Sequence, residues 1–176
     1  EGIDACLKYG LSVKVNMVVM KGENDDEIVK MLDYGVVHGV EVRYLELMGM
    51  GSLHKNDNHK LVSMEEILEQ ISDKYNVQLV SSEPDSTPLR YWVPGGYFGI
   101  IPNNSAPFCS TCSRLRLTSN GQLIGCLSNP KPISVRHLLE QADPAYALQK
   151  LVKRSVSYKQ DVVFTGSSLV MSRVGG

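Results

Sequence analysis

The sequence predicts an α/β fold whose later part turns β-rich, and three observations lead there. Helical and extended segments alternate through residues 1–50, a capped helix follows near residue 63, and short strands broken by Pro and Gly then run to residue 127. Residues 1–10, EGIDACLKYG, read as the end of a helix that begins earlier. Residues 12–20, SVKVNMVVM, are β-branched and apolar apart from Lys14 and Asn16, which is the signature of a strand. Residues 24–39 form a helix in which Asn24 and Glu27 are spaced as a capping box, with Ile28, Met31 and Leu32 at helical intervals. Residues 40–47, VEVRYLEL, read as the next strand. Strands joined through a helix of this length imply a parallel sheet with right-handed crossovers.

A Gly-rich polar loop covers residues 49–60, and Ser63 with Glu66 marks a second capping box at the head of SMEEILEQISDKY. The pattern then changes to VQLVSSE, LRYWV, YFGIIPN, RLRLTSN and QLIGCL, with tight-turn signals at PGG (94–96) and SNG (119–121). This reads as an antiparallel meander, followed by helical segments at 135–141 and 144–153. The change of pattern sets a division near residue 77, giving regions 1–76 and 77–176.

The 176 residues are 43% hydrophobic and 21% charged, as in an ordinary globular domain. A net charge of −1 argues against a nucleic-acid binder working through bulk electrostatics. No apolar run reaches membrane-spanning length and no signal-peptide pattern opens the chain, so no membrane partner and a cytoplasmic location with reduced thiols are expected. The chain opens on Glu1, so the N-terminal part of a larger protein is expected to be absent.

The chemistry concentrates in residues 108–127, FCSTCSRLRLTSNGQLIGCL. Cys109, Cys112 and Cys126 are metal-ligand candidates, while Cys6 reads as a small packing residue. A structural zinc wants four ligands, and the fourth would have to be His137. An iron–sulfur cubane held by three thiolates leaves one iron open. Zinc, a cluster or neither stays open on spacing alone. Arg114 and Arg116, two apart on an expected strand, project to one side, with Leu115 and Leu117 turned into packing. They are either surface arginines or a fork for phosphate or carboxylate. Lys14 is likewise either solvent-facing or part of a polar interior.

The segment FCSTCSRLRLTSNGQLIGCL resembles the C-terminal iron–sulfur motif of the GTP 3′,8-cyclases, radical S-adenosylmethionine enzymes of molybdenum cofactor biosynthesis. GLSVKVNMVVMKGENDDEI, EVRYLELMGMG and the closing Gly175–Gly176 are similar to that family in the same order. The resemblance implies the C-terminal part of an incomplete radical-SAM (β/α) barrel, of the TIM type, over residues 1–76. A β-rich, cluster- and GTP-binding extension with helices follows over 77–176. It implies that Cys109, Cys112 and Cys126 hold a [4Fe–4S] cluster, and that Lys14, Arg43, Arg114, Leu115 and Arg116 contact GTP. Met48 would contact S-adenosylmethionine, and Gly175 and Gly176 would form a tail that supports catalysis.

The implied activity converts GTP to 3′,8-cyclo-7,8-dihydroguanosine triphosphate, by hydrogen abstraction at C3′ and attack of the sugar radical on C8. The implied partners are GTP, the N-terminal half of the enzyme, a second copy in a homodimer, and cyclic pyranopterin monophosphate synthase, which receives the product. The family's N-terminal C-x3-C-x2-C motif, which holds a second [4Fe–4S] cluster, does not occur here, so this chain by itself is expected to be inactive. Two rivals are another radical-SAM enzyme with an auxiliary cluster and a non-enzymatic zinc-binding module.

Overall fold

The structure is a computed structural model that describes residues 1–54, 58–80, 88–160 and 164–174. It divides into two compact units, one of Glu1–Leu47 with Asn58–Ala106, the other of Met48–Asp57 with Pro107–Gly176.

The first unit contains α1 (Gly2–Lys8), β1 (Lys14–Val19), α2 (Ile28–His38), β2 (Glu41–Glu46), α3 (Met64–Ser72), β3 (Gln78–Val80), β4 (Leu89–Val93) and β5 (Gly96–Ile101). Its five strands lie in the order β1-β2-β5-β4-β3. β1, β2 and β5 run parallel, and β4 and β3 complete the sheet antiparallel. The sheet is therefore mixed.

Alternation along each strand decides which face is buried. Met17 and Val19 of β1, Val42 and Tyr44 of β2, Tyr91 and Val93 of β4, and Phe98 and Ile100 of β5 join Ile28 and Leu32 of α2 and Ile67 and Ile71 of α3 in one core. Each such side chain contributes about 1.5–3 kcal/mol by leaving water. Gly35 lets α2 lie close on β2, since a Cβ there would meet the Val40 carbonyl oxygen at 2.6 Å and Val42 Cγ2 at 2.8 Å. The alternate residues Lys14, Asn16, Glu41 and Arg43 point the opposite way. Lys14 and Asn16 are exposed, in register with half-buried Glu41 and Arg43.

β2 ends on Glu46, a carboxylate only 1% exposed. Its Oε1 accepts from Met64 N at the head of α3 (2.8 Å) and from the Ser105 hydroxyl. Its Oε2 accepts from the backbone N–H groups of Asn104 (2.6 Å) and Ser105 (2.9 Å). Asn103 Nδ2 donates to the Glu46 carbonyl and Asn104 Nδ2 to that of Leu47, both at 3.0 Å. One buried acid thus ties the end of β2 to the loop after β5 and to α3.

Two local expectations change in this unit. Asn24 does not cap α2. Its Oδ1 accepts from Met20 N (2.8 Å) and its Nδ2 donates to Val18 O (2.9 Å), so the side chain closes the turn out of β1, and a 3-10 turn (Asp25–Glu27) precedes the helix. Ser63 does form its capping box with Glu66. The change of pattern near residue 77 is not a break in the sheet, because β5 returns to pair with β2 and carries β3 and β4 into the same unit. The β4–β5 hairpin turns at Pro94–Gly95, where Gly95 takes φ +98°.

The second unit holds a three-stranded antiparallel sheet of β6 (Arg116–Leu117), β7 (Gln122–Ile124) and β8 (Ile133–Ser134), then α4 (Pro144–Val156). Asp143 caps α4 by accepting from Tyr146 N at 3.0 Å, with Pro144 in the first turn. The expected helix at 135–141 is a 3-10 segment, Arg136–Glu140. The expected strand over 114–120 shrinks to β6; Thr118 N still donates to Gln122 O at 3.0 Å, but the return bond from Gln122 N goes to the side chain of Thr118 instead of its carbonyl. Its hydroxyl accepts from Gln122 N (2.9 Å) and closes the turn at Gly121. Among the described residues no helix is long and apolar enough to cross a membrane.

Candidate functional site

Each unit carries part of the predicted chemistry. In the second, Cys109 opens a 3-10 turn (Cys109–Thr111) that returns the chain so that Cys112 N donates to Cys109 O at 3.3 Å. Cys126 comes from the end of the β7 strand. Its neighbour Gly125 packs directly on α4, where a Cβ would meet the Ser155 carbonyl oxygen at 2.0 Å. Only glycine allows this approach, so Gly125 sets where Cys126 lies.

All three cysteines are free thiols and half-buried. They feel one another: burial, then Cys112 and Cys126, push the Cys109 thiol up, against the pull of Arg114 and Lys159. Burial also raises Cys112, but the Arg114 backbone N–H and guanidinium and the Lys159 ammonium outweigh it and hold this thiol below its ordinary value. Among the described residues no group of three or more His, Cys, Asp or Glu side chains converges as ligands of one metal ion. His137, the alternative fourth ligand, is exposed on its 3-10 segment.

Arg114 precedes β6 and is exposed, its guanidinium over the Phe108 ring at 4.5 Å. Arg116 is half-buried, and burial with the nearby Arg114 charge lowers its pKa while Cys112 opposes. Both arginines therefore stand beside Cys112, though only Arg116 lies on a strand. Leu115 is half-buried. Leu117, expected to pack, is 61% exposed, because β6 is too short to impose a full alternation.

Lys159 carries no spacing signature, and sequence reasoning passed over it. Its Nζ donates to the Arg114 carbonyl at 2.6 Å and lies 3.4 Å from Cys112 Sγ. The thiols of Cys109, Cys112 and Cys126 are soft donors of the type that suits an iron–sulfur cluster or another thiolate-loving metal, although they do not converge on the position of a single ion.

In the first unit, Lys14 and Arg43 line a cleft of about 820 Å³ together with Glu41, Arg90, Pro88 and Tyr97. Lys14 is the first residue of β1, at the amino end of the parallel strands, and not near the carboxyl ends where barrel sites usually lie. Glu41 links an arginine of its own strand β2 to one of β4, across the intervening β5: Oε1 takes Arg43 Nε at 3.0 Å and Oε2 takes Arg90 Nη2 at 3.1 Å. Arg90 also stacks on Tyr97 at 4.2 Å. Three cations against one carboxylate leave the cleft positive, as a site for an anion would be.

Met48 follows β2 in the second unit, half-buried. The segment beside it pairs with the late chain: Gly51 N donates to Ser167 O (2.9 Å) and Ser167 N to Gly49 O (3.0 Å). Val174 is buried at 2%, so the chain is anchored up to that residue. Gly175 and Gly176 lie outside the described residues. Cys6 is half-buried on α1 in the first unit, apart in sequence from the triad.

The chain is thus a mixed α/β fold whose second unit carries three half-buried cysteines near Arg114 and Lys159. Residues 40–165 match the Molybdenum Cofactor Synthesis C family, and the chain belongs to it. It is similar to proteins named GTP 3′,8-cyclase. The one from Helicobacter pylori J99 is 35% identical over 162 residues, 92% of this chain and 50% of the relative. The one from Campylobacter fetus is 35% identical over 144 residues, 81% of this chain and 44% of the relative. The one from Staphylococcus carnosus is 38% identical over 130 residues, 72% of this chain and 38% of the relative. The chain spans about half the length of the curated relatives it matches.

Proposed function

We propose that this chain is the cluster-bearing, substrate-binding C-terminal portion of a GTP 3′,8-cyclase, a radical-SAM lyase that converts GTP to 3′,8-cyclo-7,8-dihydroguanosine triphosphate in molybdenum cofactor biosynthesis. The observation that carries this is the triad of Cys109, Cys112 and Cys126 with Arg114, Arg116 and Lys159 around it, inside the family-matched region. In this reading the sheet of the first unit is the last part of an incomplete (β/α) barrel, and its polar face, with Lys14 and Arg43, belongs to the barrel interior.

The three thiolates would hold a [4Fe–4S] cluster, and the cations offset their charge. The bound cluster supplies an iron without a cysteine ligand, open to a donor atom of the nucleotide. Arg114, Leu115 and Arg116 contact GTP. Arg114 is braced by the Phe108 ring, which limits the side-chain freedom it loses on binding. Lys14 and Arg43 are proposed as further GTP contacts, and Glu41 keeps Arg43 in place through its carboxylate. Met48 contacts S-adenosylmethionine, and Gly175–Gly176 form the catalytic tail. S-adenosylmethionine, the second cluster, the homodimer, transfer of the product to cyclic pyranopterin monophosphate synthase and a cytoplasmic location belong to the whole enzyme in this proposal.

The test is GTP binding by the anaerobically reconstituted protein. Arg114→Ala or Arg116→Ala should weaken it by roughly 1.5–3 kcal/mol, the scale of a charge-assisted hydrogen bond, with iron content unchanged. Normal GTP affinity in both variants, with lowered thermal stability, would make the arginines structural and sink this part of the proposal.

A further inference from the structure

We infer that Lys159 is a positioning residue of the cysteine centre, fixing Cys112 and the backbone at Arg114 so that metal retention and reduction potential at the triad depend on it. The inference rests on the reading of the triad as a cluster site.

The contact spans a long sequence separation. Lys159 lies just past α4, and its ammonium reaches the Arg114 carbonyl at 2.6 Å and Cys112 Sγ at 3.4 Å. Two of its three donors are thus directed at protein atoms, so the side chain acts through Cys112 and Arg114 and not as a free cation awaiting a ligand. A charged donor on a carbonyl and a thiolate makes stronger bonds than a neutral one.

The position of Lys159 is itself built. Lys159 N donates to Val156 O at 3.0 Å, continuing the helix end. The preceding residue, Tyr158, is held on three sides. Its carbonyl accepts from Asn129 Nδ2 at 3.1 Å, its hydroxyl accepts from Arg154 Nε at 2.8 Å, and Lys131 sits over its ring at 4.8 Å. Asn129 and Lys131 come from the loop after Cys126. The segment that presents Lys159 to Cys112 is therefore fastened to the chain on the far side of the third cysteine. Partners that orient metal ligands from behind tune both affinity and potential, and a hydrogen bond to a ligating sulfur favours the reduced cluster.

The experiment uses this chain, reconstituted anaerobically with iron and sulfide, in four forms: unaltered, Lys159→Met, Lys159→Arg and Lys153→Ala. Lys159→Met keeps the length of the side chain without its charge. Lys153→Ala removes an exposed positive charge from α4 as a control. Iron loss to a chelator and the midpoint potential, followed by electron paramagnetic resonance, are measured alongside thermal unfolding. Lys159→Met should lose iron about 10-fold more readily, the lower end of what losing a hydrogen-bond partner of a metal ligand costs, and shift the potential to more negative values. Lys159→Arg should recover most of both, and Lys153→Ala should match the unaltered chain. Equal retention and potential in Lys159→Met and the unaltered chain overturns the inference and leaves the cluster reading intact. A loss that arginine does not restore marks a purely structural side chain and also overturns it. If the unaltered chain takes up no iron, the cluster reading and this inference fall together.

Discussion

Replacing Glu46 by Gln tests how the first unit is held together. The carboxylate has two oxygens and receives two donors on each. An amide keeps one acceptor oxygen and turns the other into an NH2 group. If the NH2 replaces Oε1, it faces Met64 N and the Ser105 hydroxyl, and the hydroxyl can rotate to accept. If it replaces Oε2, it faces the backbone N–H groups of Asn104 and Ser105, which cannot. The first orientation leaves Met64 N only its longer bond to the Ser105 hydroxyl at 3.4 Å, and the second leaves two part-buried backbone N–H groups without an acceptor, so the lost bonding costs up to about 1–3 kcal/mol. The surviving bonds also lose their charge, about 0.5–1.5 kcal/mol each. Relief from burying a charge works the other way. The balance is a loss of about 1–3 kcal/mol, a sizeable part of the roughly 5–15 kcal/mol typical of a domain. Trp92 is the only tryptophan and lies on β4, so urea unfolding followed by its fluorescence reports on this unit. An unfolding free energy within about 0.5 kcal/mol of the unaltered chain, the range of ordinary surface changes, would refute the reasoning.

Gly125→Ala places a methyl 2.0 Å from the Ser155 carbonyl oxygen, so the β7 end and α4 must separate by about 1.4 Å to reach ordinary 3.4 Å contact. Overpacking of this kind costs about 1–3 kcal/mol, and because Cys126 is the next residue, iron retention should fall as well; unchanged stability and retention would contradict the packing argument. Asp33 accepts from Lys74 Nζ at 2.6 Å and Tyr75 Oη at 2.6 Å, and these bonds hold its carboxyl below the ordinary 3.8. The folded state therefore binds this proton less readily than the unfolded state. The stabilisation is complete above about pH 4 and disappears as the pH falls through the lowered value. Asp33→Asn should flatten stability against pH in that acid range alone, and an acid profile like that of the unaltered chain would show the pair to be inert.

Much of the fold is legible because it is written locally. The β-branched alternation gives β1 and β2, the LRYWV run coincides with β4, and Ser63 with Glu66 marks the head of α3. What is not legible depends on partners distant in sequence. Asn24 has the residue type and spacing of a cap, yet Val18 and Met20 capture its side chain. The hairpin around Pro94–Gly95 suggests a separate meander, because nothing in residues 96–101 announces that the other edge of β5 pairs parallel with β2. The sequence puts Arg114 and Arg116 on one face of a strand, but β6 begins only at Arg116, and the 3-10 turn at Cys109 and the Phe108 ring set Arg114 instead. Lys159 could not be found by pattern at all, since 47 residues separate it from the sulfur it approaches.

The metal bound by Cys109, Cys112 and Cys126 decides between a cluster-bearing enzyme portion and a zinc module. Anaerobic reconstitution followed by iron, sulfide and zinc analysis should give about four irons and four sulfides per chain, as a cubane requires. Cys109→Ser, Cys112→Ser and Cys126→Ser should each lower that content, and Cys6→Ser should leave it unchanged. One tightly bound zinc per chain with no iron taken up would contradict the account.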